Sequence, residues 1–174
     1  MRRTFALTVL AAVMVGWAFS TGRDFLVTGM VDLGIHELGH MLAIPLGQTI
    51  HFLAGSGAQI LAPAGLAGYF WWKGDEGASG LMLAWCSTSI KDVAIYMADA
   101  KTRYLPLIGG THDWWWLFSR WDNLDGAAGI AGFVGFLGLM LGAGAVLWLG
   151  YQSWTLWSAA RPSVFVFLDA ESRD

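Results

Sequence analysis

Apolar residues in this chain come in long blocks rather than in alternation, and short polar breaks separate them. Five blocks are near the roughly 20 residues that a helix needs to cross a hydrocarbon layer about 30 Å thick. The first runs over 5–20. The second runs over 25–44 and is stopped by Pro45 and Gly47. The third, 50–72, is interrupted by Gly55-Ser56-Gly57 and Pro63, which admits a broken or re-entrant path. Lys73-Gly-Asp-Glu-Gly forms a polar turn before the fourth, 78–100, which carries Lys91, Asp92 and Asp99 in its second half. A Trp-rich polar connector over 101–125 leads to the fifth, 126–148, and a short tail with Arg161-Pro162 follows. The expected fold class is all-α: a polytopic transmembrane helical bundle forming a single membrane domain over 1–174, without internal repeats.

Composition agrees with that picture. Of 174 residues 56% are hydrophobic and 13% charged, with mean hydropathy +0.52, whereas soluble domains carry about 25% charged residues. The net charge is −3 and no run of Lys or Arg occurs, so nucleic acid is excluded as a partner and membrane lipid is expected. The single cysteine, Cys86, can form no internal disulfide and reads as a packing residue. Several of the eleven tryptophans fall near helix ends, as an interfacial belt would.

At the N-terminus, Met1-Arg-Arg-Thr followed by Phe5 to Phe19 has the basic and apolar regions of a signal peptide, with Ala18-Phe19-Ser20 in the place of a cleavage site. The segment is read as a retained membrane helix. Arg2 and Arg3 place the N-terminus inside. Five crossings then put Lys101, Arg103 and Arg120 inside, and Arg23, Lys73 and Arg161 outside. On that topology His36, His40, Asp92, Asp99, His112, Asp113, Asp122 and Asp125 converge on one leaflet.

The chemistry concentrates in His36-Glu37-Leu38-Gly39-His40. On a helix, residues four apart share a face. Two neutral imidazoles there hold a zinc ion, and Glu37 acts as general base toward a metal-bound water. Ionisable groups inside a membrane cost roughly 2–3 kcal/mol each, which favours a function for them over a polar cluster that only packs. Asp32, one turn before His36, is expected to accept the outer imidazole N–H. A catalytic zinc needs a third protein ligand, and His112, Asp113, Asp125 and Asp99 compete for that place. Each has a plainer reading: His112 as an interfacial anchor, Asp122 and Asp125 as helix caps, Asp99 as an i,i+4 partner of Arg103. Gln59 suits a substrate strand or the satisfaction of exposed backbone. Six glycines from Gly126 to Gly142, with a G-x-x-x-G at Gly138 and Gly142, offer surfaces for close helix approach or flexibility for substrate entry.

The intramembrane His36–His40 motif, followed some eighty residues later by Leu124-Asp125-Gly126 at the mouth of an apolar helix, resembles the site-2 protease family. That resemblance implies Asp125 as third zinc ligand, Glu37 as base and transmembrane polypeptides as substrates. The family's Asn-Pro-rich lead into this motif is replaced here by Ser119-Arg-Trp-Asp-Asn. A second set of segments covers about 80 residues. It comprises His36–His40, Gly55-Ser-Gly-Ala-Gln59 with Pro63, Tyr96-Met-Ala-Asp-Ala100 and His112-Asp113-Trp114. This set is similar to a group of small bacterial membrane proteins of unassigned function. It implies a bacterial inner (cytoplasmic) membrane location, with His112 or Asp113, then Asp99, completing the site.

Two functions follow. One is a zinc-dependent intramembrane hydrolase, most simply a peptidase. The other is a non-enzymatic accessory subunit of a larger membrane complex, holding a structural metal or a pigment or haem-type cofactor. Within one helix, histidines four apart cannot ligate both faces of a haem, so the haem version needs a further histidine.

Overall fold

The structure is a computed structural model and describes residues 2–22, 26–108 and 110–160. Every regular element among them is helical: α1 (Arg2–Thr21), α2 (Leu26–Ala43), α3 (Gln48–Trp72), α4 (Glu76–Ala98), α5 (Asp113–Arg120) and α6 (Ala127–Ala159), with one turn of 3-10 helix at Ile44–Leu46. Arg23, Phe25 and the Arg161-Pro162 tail lie outside the described residues.

Three helices, α1, α3 and α6, are long and apolar enough to cross a membrane, fewer than the five expected. The difference lies in α2 and α4. Asp32, His36, Glu37 and His40 dilute α2, and Glu76, Lys91, Asp92 and a run of buried hydroxyls from Ser87 to Ser89 dilute α4. Both remain continuous helices within the same bundle. α6 extends eleven residues beyond the expected end at 148. The connector over 101–125 contains α5, which hydropathy does not reveal because the helix has only eight residues.

The expected break in the third segment does not occur. α3 runs unbroken from Gln48 to Trp72 through both Gly55-Ser-Gly57 and Pro63. Pro63 removes one helical hydrogen bond and is fully buried. The glycines serve close approach instead of a turn. A Cβ on Gly55 would strike the imidazoles of His36 and His40. On the facing helix, one on Gly39 would collide with the carbonyl oxygen of Ala54. Real turns occur at Gly47 (φ 87°) and Gly74 (φ 75°), where the left-handed backbone favours glycine.

α4 is the centre of the bundle, packed against α1, α3 and α6. The G-x-x-x-G of α6 makes the closest of these contacts. Cβ atoms on Gly138 and Gly142 would lie 3.1 Å from the Ser87 carbonyl and 2.6 Å from the Ser87 hydroxyl. The packing reading therefore holds there, while Gly129 and Gly132 face open space. α1 is tied in by Ala11, Met14, Val15 and Ala18, all buried, and by Thr8, whose hydroxyl meets Leu149 O and Ser153 Oγ. α2 lies at the edge, packed along α3 and touching α4 little. A cleft therefore remains between α2, the second half of α4 and residues 105–108 and 110–111.

Candidate metal centre

Three side chains, two from α2 and one from the start of α5, meet in that cleft. Nε2 of His36 and Nε2 of His40 are 3.0 Å apart, and each lies 3.0 Å from Oδ2 of Asp113. Helical spacing brings the two histidines together. Asp113 arrives from far along the chain, as the first residue of α5. It is fixed there because its backbone N–H donates to the Tyr96 hydroxyl (3.1 Å) and Trp114 Nε1 donates to Ser56 Oγ (3.0 Å).

The surroundings determine which ring nitrogens are free. His40 Nδ1 lies 2.7 Å from the backbone carbonyl of His51. A carbonyl only accepts, so in the neutral ring Nδ1 bears the hydrogen and Nε2 a lone pair. For His36 the argument passes through Gln59, whose amide nitrogen donates to Asp92 Oδ2 (2.6 Å). That turns the amide oxygen toward His36 Nδ1 (3.2 Å), which donates to it. Nε2 of His36 is again a lone pair. Two imidazole lone pairs and a carboxylate oxygen thus face one another at 3.0 Å. A proton between any two would leave the third facing a lone pair, whereas a cation satisfies all three. Ligand atoms about 2.0–2.1 Å from one tetrahedral ion are roughly 3.3 Å apart, so the spacing fits zinc after a shift of a few tenths of an ångström. Gly55 leaves the room. Among the described residues this is the only cluster of three such groups.

The cleft has a volume of about 880 Å³. Glu37 lines it beside His36, His40 and Asp113, and no hydrogen bond or ion pair among the described residues ties its carboxylate down. Apolar walls come from Leu33, Phe52, Ile95, Leu105, Leu107 and Ile108. The arrangement could hold a metal ion through three side chains, with a cleft and a further carboxylate beside it.

Several expectations are corrected here. His112, first choice for the third ligand, faces away: its Nδ1 accepts the N–H of Trp115 and caps α5 (3.2 Å). Its Nε2 points toward Asp99 Oδ2 at 3.5 Å. Burial holds the His112 ring below its ordinary range, against the opposing pull of Asp99 and Asp113. Asp99 is also elsewhere, holding the loop after α4 through Thr102 Oγ1, Tyr104 N and Leu105 N. Burial works to raise its carboxyl, but these hydrogen bonds outweigh burial and keep it below the usual range. Asp125 is exposed and paired with Lys101 Nζ (2.6 Å), which lowers its carboxyl. It is outside the cluster, so the residue-by-residue transfer from Leu124-Asp125-Gly126 fails. Asp122 is exposed as well. Asp32 is buried but accepts from Trp85 Nε1 (2.9 Å) and Ser89 Oγ (3.0 Å), not from His36. Gln59 takes the outer position on His36 that was expected of Asp32.

Asp92, expected on the same leaflet but given no role, orients Gln59. One contributor escaped the sequence reading. His51 faces His40 across α2 and α3 in a reciprocal pair, its Nδ1 donating to the His40 carbonyl (3.0 Å). The one available signal was His51 at the start of an apolar block eleven residues after His40.

Compared with protein-family models, curated proteins and solved structures, the chain matches none of them.

Proposed function

We propose that the chain is a zinc-dependent hydrolase embedded in the bacterial cytoplasmic membrane with its N-terminus inside, and that it cleaves amide bonds of transmembrane polypeptides. One observation carries the reading: two imidazoles held in the metal-binding tautomer and one carboxylate oxygen converge beside Glu37 on a single cleft. His36, His40 and Asp113 hold the ion. Zinc, when bound, lowers the pKa of a coordinated water and polarises a carbonyl. Glu37 takes the proton of the attacking water and returns it to the leaving nitrogen. The apolar walls exclude bulk water and accept apolar side chains. The His36-Glu-Leu-Gly-His40 resemblance to site-2 proteases supports the same class of reaction, with Asp113 in the place that Asp125 was expected to fill.

The test is elemental mass spectrometry on purified protein, followed by hydrolysis of a fluorogenic transmembrane peptide. Wild type is expected to hold one zinc per chain and His40→Ala none. Glu37→Gln is expected to keep the zinc and lose at least a hundredfold in turnover. Wild type free of zinc after chelator-free purification, or turnover retained in Glu37→Gln, overturns the proposal.

A further inference from the structure

The site as built has a base and a metal position but leaves one role open: a donor for the charge that develops on the carbonyl oxygen. Tyr96 is placed for it. Its ring is wedged between His112, stacked at 4.2 Å, and His36, edge-on at 5.9 Å. It lines the cleft with His36, His40, Glu37 and Asp113. Its hydroxyl oxygen accepts the N–H of Asp113 (3.1 Å), and the carboxylate of the same residue draws on its proton. With that carboxylate turned toward a bound cation, a phenol held in this way and lining the cleft becomes a preorganised donor.

We propose that Tyr96 is a catalytic residue that donates its O–H to the oxyanion of the tetrahedral intermediate. This rests on the hydrolase reading. Water oxygen bonds to the carbonyl carbon while its proton goes to Glu37. The carbonyl π pair moves onto the oxygen, where Tyr96 meets it with a hydrogen bond and keeps its proton. Collapse restores the C=O bond, breaks the C–N bond and sends the Glu37 proton to nitrogen. No oxidant or further reactant is required.

Binding, rather than turnover, gives the test. Wild type, Tyr96→Phe and His40→Ala are loaded with Co²⁺, and the visible spectrum is titrated with phenylphosphonate, a tetrahedral oxyanion, and with azide, which binds a metal without a second oxygen. Tyr96→Phe is expected to keep one Co²⁺ per chain, the wild-type spectrum and the azide affinity, and to bind phenylphosphonate roughly ten- to a hundredfold more weakly, the worth of a hydrogen bond to a charged group. Equal phenylphosphonate affinities overturn the role of Tyr96 and leave the metal site standing. A changed cobalt spectrum or parallel loss of azide binding also overturns it, because Tyr96 would then only position Asp113. Wild type that binds no Co²⁺, or binds it as His40→Ala does, brings down the site itself.

Discussion

At Gly55 an added methyl would sit 2.5 Å from Nε2 of His40 and 2.6 Å from Nε2 of His36. Gly55→Ala is therefore expected to empty the site while the helices persist, read as lost zinc with an unchanged far-ultraviolet spectrum. Gln59→Leu leaves His36 without its outer acceptor and Asp92 without its donor. Outer partners of this kind are worth about 10–100-fold in metal affinity, and a competitive chelator titration should read that loss. This scale also shows what the sequence could disclose. His36 and His40 were legible because their approach is local, fixed by helical period alone. Asp113 and His112 are neighbours with opposite assignments, and which one turns inward depends on how α5 starts: the imidazole is used up as its cap. Asp32 and Gln59 exchanged roles for a similar reason, since Trp85 and Ser89 claim Asp32 across the bundle.

Among the helices, α6 makes the clearest prediction. Already the Cβ of Gly142→Leu would meet Ser87 and Val15, whereas the Cβ of Gly129→Leu finds nothing within 4 Å. Overpacking of this sort costs about 1–3 kcal/mol, so thermal unfolding in detergent should fall for the first variant and barely move for the second. Helix existence was readable from hydropathy because long apolar runs leave few alternatives. The unbroken course of α3 was not, since a glycine pair gives the same local signal whether it turns the chain or lets another helix come close. The length of α5, eight residues, kept it below any periodic signal.

Over the whole molecule, two polar clusters lie at opposite ends of α4. The candidate metal site lies toward the C-terminal end of α4. A clasp closes the other end, where Arg3 meets Asp75 (2.6 Å) and Gln152 meets Glu76 (2.8 Å). The hydrogen bond and charge of Arg3, together with the Ala78 N–H, hold the Asp75 carboxyl below its usual range. A carboxylate depressed in the folded state adds stability above its unfolded pKa and loses it as pH falls through the folded one. The difference in melting temperature between wild type and Asp75→Asn should thus be present at neutral pH and vanish in acid. Because the pair is exposed, it should be small.

The edge position of α2 has a consequence for how the protein is made. A helix packed mainly along α3 and tied to α4 chiefly through Asp32 can settle last, after the bundle around α4 has formed. Capture of an ion by His36 and His40 from one side and Asp113 from the other would then be the event that bolts it in place. Zinc supply would set the lifetime of the finished molecule as well as its chemistry. Amide exchange followed in lipid nanodiscs should show it: a chelator strips protection from α2 within the experiment and leaves α4 and α6 slow.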